Sequence, residues 1–129
     1  MQKTGILNPA INSLVSRIRH TNTLVIADRG FPFWPQIETV DISLTDDIPR
    51  VLEVLLAIRK NFVVGQAFMA EEFLTTNLPE TRDAFAAALK GVPTLYEPHV
   101  VFKKRVPHAI GLIRTSDTIM YANLILESG

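Results

Sequence analysis

Thr23-Leu24-Val25-Ile26-Ala27-Asp28, followed at once by Arg29-Gly30-Phe31-Pro32-Phe33-Trp34-Pro35, is the stretch that decides the architecture. Residues 23–27 are short, β-rich in character and continuously apolar, the pattern of a strand covered on both faces, as in a parallel sheet held between helices. The segment after Asp28 can continue neither strand nor helix, because two prolines fix φ and remove donors while Gly30 permits an unusual turn. A loop with an aromatic lining is predicted, with Asp28 at its mouth.

Upstream, Asn8-Pro9 reads as a helix N-cap and first-turn proline, and Ile11, Leu14, Val15 and Ile18 recur on one helical face. The helix is expected to end near Arg19, which puts His20 at its C-terminal end. Downstream, a strand fits Thr39 to Ile42, and a helix from Pro49 to Asn61 turns Val51, Leu52, Leu55, Leu56 and Ile58 inward. Val63 to Ala70 is the next strand, closed by Glu71-Glu72. A helix opened by Asn77-Leu78-Pro79 and stopped by Gly91 precedes a strand at Thr94 to Tyr96 and a short helix after His99. Residues 109–114 and 121–126, joined by a turn at Ser116-Asp117, read as a terminal hairpin. The repeated β-α-β order predicts an α/β fold, a three-layer sandwich with a mostly parallel sheet and a C-terminal antiparallel hairpin. A chain of 129 residues without an internal repeat or linker is expected to form one domain, 1–129.

Thirteen basic and thirteen acidic residues cancel, which argues against nucleic acid or an anionic membrane surface as partner. Lys103-Lys104-Arg105 is too small a cluster, without stacking aromatics, to change that. The chain lacks cysteine, excluding a disulfide framework, a thiolate metal site and a Cys nucleophile, and fitting a reducing cytoplasm. No segment approaches the ~20 apolar residues of a membrane span. Hydrophobic residues make up 47% and the mean hydropathy is +0.20. That is more apolar than a small monomer needs, so a homo-oligomer burying part of the surface is expected.

Polar groups at strand ends can line a pocket for a small hydroxylated ligand. His20 and Asp28 bracket the first strand, and an imidazole beside a helix C-terminus is suited to proton donation. His20 also fits a surface helix-stop residue, and Asp28 a turn carboxylate bonding its own backbone. Strand alternation puts Tyr121 and Asn123 on one face, where two hydrogen-bonding groups would sit side by side, though an ordinary hairpin start has the same pattern. The histidines and Asp28 show no ligand spacing on one element, so no metal is expected.

Taken in order, Gly5-Ile6-Leu7-Asn8, His20-Thr21, Val25-Ile26-Ala27-Asp28 with Gly30-Phe31-Pro32, Asp41 with Ser43-Leu44, Ala70-Glu71-Glu72, His99 with Phe102-Lys103, Ile113-Arg114-Thr115 and Tyr121-Ala122-Asn123 resemble the D-ribose pyranase family, relatives of the L-fucose mutarotases. The resemblance covers essentially the whole chain, and Tyr-Ala-Asn is closer to the ribose branch. It implies a cofactor-free, metal-free isomerase that interconverts ring forms of a free monosaccharide, D-ribose first among candidates. His20 would be the acid/base, and Asp28, His99, Tyr121 and Asn123 would bind the sugar. It also implies a ring or double ring of subunits with the site at their contacts.

The chain departs from the family pattern at Arg19 and Asn22, which flank His20 where glycine and Asp are usual, and at Arg29 and Trp34. Two consequences are open at this level. Arg19 and Arg29 could select an anionic sugar, and the altered flanks of His20 fit a sugar-binding accessory or regulatory protein, or a mutarotase of the fucose type, as alternatives to the ribose isomerase.

Overall fold

In the computed structural model, which describes residues 1–129, the elements run α1 (Pro9–Ser16), β1 (Thr23–Ala27), β2 (Glu38–Asp41), α2 (Val51–Asn61), β3 (Val64–Ala70), α3 (Glu72–Thr76), α4 (Pro79–Ala88), β4 (Thr94–Glu97), α5 (His99–Arg105), a single 3-10 turn (Val106–His108), β5 (Gly111–Arg114) and β6 (Leu124–Ser128). All six strands join one sheet in the order β2-β5-β1-β6-β3-β4. The β1–β5, β2–β5 and β3–β4 pairs are parallel, and β6 alone runs against both of its neighbours.

Alternation along the central strands builds the layers, because successive side chains leave opposite faces of a sheet. Leu24, Ile26, Ile113, Leu124 and Leu126 face a large core that takes in Ile11 and Leu14 of α1, Val54, Leu55 and Ile58 of α2, Phe73 of α3 and Phe85 of α4. Val25, Ala27, Leu112, Ile125 and Phe68 face a smaller core closed by Phe31 of the loop after β1 and by Phe102 and Val106. Four helices therefore cover one face and α5 the other, giving the expected three layers around a mostly parallel sheet. No helix is long and apolar enough to cross a membrane.

Several local expectations shift. The first helix stops at Ser16 because Arg17 and Ile18 donate to Leu14 and Val15, three residues back, tightening the last turn; Ile18 still packs, from beyond the helix. In α2 the buried stripe is Val51, Val54, Leu55 and Ile58, while Leu56 is 50% exposed and Leu52 half-buried, as a 3.6-residue period demands. A short helix, α3, follows β3 where the sequence predicts only the strand's end. The terminal hairpin is replaced by a different arrangement: β5 and β6 run in opposite directions but do not pair, because β1 lies between them. The intervening segment Thr115 to Asn123 crosses over the end of β1, and residues 121–123 precede β6 instead of belonging to it.

Candidate functional site

The five parallel strands end along one edge of the sheet, and a polar or charged residue stands at or just past each end: Asp28 after β1, Asp41 on β2, Glu72 after β3, His99 after β4 and Arg114 on β5. Because β6 is reversed, the residues that precede it, Tyr121 and Asn123, reach the same edge. Ligands in open α/β sheets bind outside the carboxyl ends of strands where the order changes direction, and here a hollow of about 270 Å³ opens there. Asp28, Phe31, His99, Tyr121 and Asn123 are among the residues that line it.

Asp28 is held from every side. Its N–H donates to Asn123 Oδ1 at 2.8 Å, its Oδ1 accepts the Gly30 N–H at 3.0 Å, and its carbonyl accepts from Arg114 Nη1 at 3.0 Å. The turn carboxylate and the pocket carboxylate are thus one residue in both roles. Burial pushes the Asp28 carboxyl above the usual carboxylate range, against the hydrogen bonds from Gly30, Phe31 and the Asn123 side chain and the nearby Arg114 charge. Asn123, 4% exposed, spends both ends of its amide on Asp28. Arg114 also reaches Arg29 O and, at 3.1 Å, Pro32 O, so one guanidinium grips the carbonyls of the loop that walls the hollow.

His99 opens α5, its N–H donating to both oxygens of Glu72 at 3.0 and 3.1 Å. Its ring stands edge-on to Tyr121 at 5.1 Å, lies nearly parallel to Phe102 at 6.0 Å and is 6.2 Å from Phe31. Burial, helped by Lys103, lowers its pKa, with Glu72 and Asp28 opposing, so the ring is neutral at pH 7. The Nε2 atom is buried and has no hydrogen-bond partner. Tyr121 enters the hollow from a left-handed backbone (φ 59°), so turn geometry, and not strand alternation, sets it beside Asn123. The turn is tied down by Asp117, which is fully buried: its carboxylate accepts the N–H of Val51, capping α2, and of Ile119, while its carbonyl accepts the N–H of Arg29.

His20 lies elsewhere. It is exposed, in the turn before β1, with the five-residue strand between it and Asp28, a separation of roughly 16 Å at ~3.3 Å per residue. Within one chain the imidazole and the hollow therefore stand at opposite ends of the sheet. Asn22 pins the turn by accepting the Arg19 N–H at 3.0 Å, Thr21 is left-handed (φ 68°) and donates to Ser128 O, and His20 projects from the tip. An Asp at position 22 could accept the same bond, so this departure leaves the turn intact. Arg19 folds back onto Ser16 O and Ile18 O, and Arg29 pairs with Asp46 at 2.7 Å in solvent. Arg19 stays at the far turn, whereas Arg29 is among the residues that line the hollow, with its charge shared with Asp46. Of the aromatic loop only Phe31 is turned into the hollow; Phe33 is 71% exposed and Trp34 packs behind Phe31 at 6.1 Å. No group of three His, Asp or Glu is placed to hold a metal ion.

Arg114 and Asp117 are the functional groups that site reasoning from sequence missed. Arg114 carried the same signal as Asp28, a charge ending the apolar run Leu112-Ile113, whereas Asp117 looked like ordinary turn chemistry.

A hollow that presents a desolvated carboxylate, a neutral imidazole, a phenol and an aromatic face suits a small polyol. The chain matches the RbsD / FucU transport protein family along residues 1–129. It is 38% identical to the D-ribose pyranase of Geobacillus thermodenitrificans, over all of this chain and 97% of that protein, and 36% identical to the D-ribose pyranase of Laribacter hongkongensis, over all of this chain and 98% of that one. Its fold superposes on Bacillus subtilis RbsD complexed with D-ribose with a TM-score of 0.93, at 29% identity, covering 100% of this chain and 98% of that one. The fucose mutarotase of Streptococcus pneumoniae, solved with L-fucose, shares the fold with a TM-score of 0.80 at 18% identity, over 95% and 93% of the two chains.

Proposed function

The chain belongs to the RbsD / FucU transport protein family, and from that premise we propose that it is a sugar-ring isomerase, interconverting the pyranose and furanose forms of free D-ribose by proton transfer. The observation that carries this is a hollow built for a polyol at the carboxyl edge of the sheet, in a chain that is 38% identical over its length to a D-ribose pyranase. It acts as one domain, in the cytoplasm, as a homo-oligomer.

Ring opening needs a proton removed from the anomeric hydroxyl and a proton delivered to the ring oxygen, giving the open-chain aldehyde; closure by a different hydroxyl reverses both transfers and leaves the protein unchanged. Asp28 accepts hydrogen bonds from sugar hydroxyls, and its fixed peptide surroundings hold it in register. His99, neutral and with Nε2 free of protein partners, and Tyr121 bind further hydroxyls, while Asn123 acts chiefly by holding Asp28. His20 is the acid/base: it delivers a proton to the ring oxygen and, left neutral, takes up the one released by the anomeric hydroxyl. Since it stands at the far end of β1 and is exposed, it serves the hollow of a second copy, which makes the oligomer part of the chemistry. A positioned acid/base of this kind contributes ~10²–10⁴-fold, sufficient for a reaction that already runs slowly in water.

Exchange NMR between pyranose and furanose resonances of ribose tests the activity, and mixing of variants tests the shared site. His20→Ala and Asp28→Asn each abolish acceleration alone; dissociated and reassembled together, they regain about a quarter of the sites, those pairing an intact His20 from one copy with an intact Asp28 from another. A mixture as inactive as its parts refutes the shared site. The placement of His20 also supports a second reading, a sugar-binding accessory protein, because the hollow stands without it; ribose binding with unaccelerated exchange in the unaltered protein would establish that instead. Running fucose beside ribose separates the mutarotase alternative.

A further inference from the structure

Arg114 donates to three carbonyls of a single loop, and its chemistry is that of a clamp, not of a ligand. In register terms it sits at the end of β5 opposite Ala27 of β1 and Asp41 of β2, so its side chain leaves the sheet between the two strand ends. Residues 28–32 leave the ladder in a turn, and no backbone N–H outside helices and strands reaches the carbonyls of Asp28, Arg29 or Pro32. The guanidinium takes that role, with Nη1 on Asp28 O at 3.0 Å and Arg29 O at 3.5 Å and Nη2 on Pro32 O at 3.1 Å. Arg114 does not line the hollow.

We propose that Arg114 is a positioning residue for the sugar reaction, fixing the peptide plane of Asp28 and the seat of Phe31 by clamping the 28–32 loop to the end of β5. The inference rests on the functional reading above for its kinetic consequences, and on geometry alone for its effect on Asp28. The carbonyl of Asp28 is held by Arg114, its N–H by Asn123 and its carboxylate by Gly30, so removal of one grip lets the carboxylate rotate about the other two. A planar fork with five donors reaches three carbonyls at once; an ammonium is a compact point charge that cannot span them. The same positive charge faces Asp28 from β5, with His99 facing it from α5 and Tyr121 from the turn before β6, while Arg29 on its own loop is engaged by Asp46. Arg114 also favours the ionised form of Asp28 and of Asp41.

Arg114→Gln and Arg114→Lys separate geometry from charge, read in two ways on the full chain: ribose exchange kinetics across pH, and carbon-13 NMR titration of the Asp28 carboxyl, which needs no activity. In Arg114→Gln, KM for ribose rises roughly ten- to a hundredfold, and the Asp28 midpoint and the acid limb of the rate move together to higher pH. In Arg114→Lys the midpoint stays near that of the unaltered protein while KM still rises. Unchanged KM in both variants, or an Asp28 midpoint indifferent to Gln, overturns the proposal. If the Gln variant does not fold, the Lys variant decides by its KM against its titration. Failure of the unaltered protein to speed ribose exchange would sink the functional reading, and amide hydrogen exchange at Asp28 and Phe31, faster in both variants when the loop is released and unchanged if Arg114 is no clamp, would still judge the geometry.

Discussion

Replacing Asn123 by Ala removes two contacts from one carboxylate residue, so its effect can be worked through from the geometry. The Asp28 N–H loses its acceptor at 2.8 Å, at a side chain only 4% exposed, and a buried donor left without a partner costs about 1–3 kcal/mol. For a chain of this length that is a fall in melting temperature of roughly 5–12 °C. The second contact acts on charge: the Asn123 amide stabilises the ionised carboxylate, whereas burial opposes it. Its loss therefore raises the Asp28 pKa further above the ordinary carboxylate value and shifts the acid limb of ribose exchange to higher pH. Calorimetry at pH 7 reads the first effect, and a carboxyl carbon-13 titration reads the second. Asn123→Asp serves as the contrast, keeping the acceptor and the volume while placing a like charge within hydrogen-bonding distance. Its melting loss is smaller at pH 4 than at pH 7, and its Asp28 midpoint moves up more than that of the Ala variant. A lowered melting temperature with an unshifted Asp28 midpoint in both variants would show that Asn123 is only a packing element, and an unchanged melting temperature would refute the account of its hydrogen bonds.

Burial raises Asp28 above 3.8, so the folded protein holds that proton more tightly than the unfolded chain; its contribution to stability is full below pH 3.8 and lost as pH rises through the folded value. Asp28→Asn, whose Oδ1 can still accept the Gly30 N–H, should therefore melt above the unaltered protein at pH 7, with the gain shrinking toward pH 3, while ribose exchange falls ~10²-fold or more; scanning calorimetry at the two pH values checks the sign. Leu24 is fully buried between β5 and β6, and Leu24→Ala should cost about 2–5 kcal/mol by urea titration with an unchanged slope. At Gly111 a Cβ would stand 2.5 Å from Leu14 Cδ1 and 3.1 Å from Glu38 O, so Gly111→Ala should lose about 1–3 kcal/mol, part of it recovered by Leu14→Val in the double variant.

The layers were legible because burial on both faces leaves an unmistakable trace: Leu24 to Ala27 is apolar at every position, and the structure splits it alternately between the two cores. Helix α1 was legible through its cap, with Asn8 Oδ1 accepting the Ile11 N–H at 3.0 Å, and the end of α4 through Gly91 with φ +82°. Strand order was not. Residues 109–114 and 121–126 look like neighbours because they are close in sequence, and nothing in either segment states that β1 will come between them. Local pattern fixes which face of a strand is buried, while pairing is decided by contacts far apart in the chain. Helix α3 escaped notice for a related reason: five residues are too few to show a period, and only Phe73, buried 4.7 Å from Phe85, declares the inward face.

The site was legible in its residue types and not in its assembly, and sheet polarity explains the difference. Asp28, His99 and Arg114 all lie at or beyond the C-terminal ends of parallel strands, so the direction of the strands alone gathers them to one edge. Tyr121 and Asn123 join them because β6 is the one reversed strand, which brings the residues before it to the edge that the others reach after theirs. His20 precedes β1, a strand of the majority direction, and the same rule places it at the opposite edge. An imidazole there can serve the hollow only when a second copy presents its far edge to it. The shared-site proposal thus ties the apolar excess of the sequence to the exposure of His20, because one contact between copies would bury the first and carry the second to the hollow.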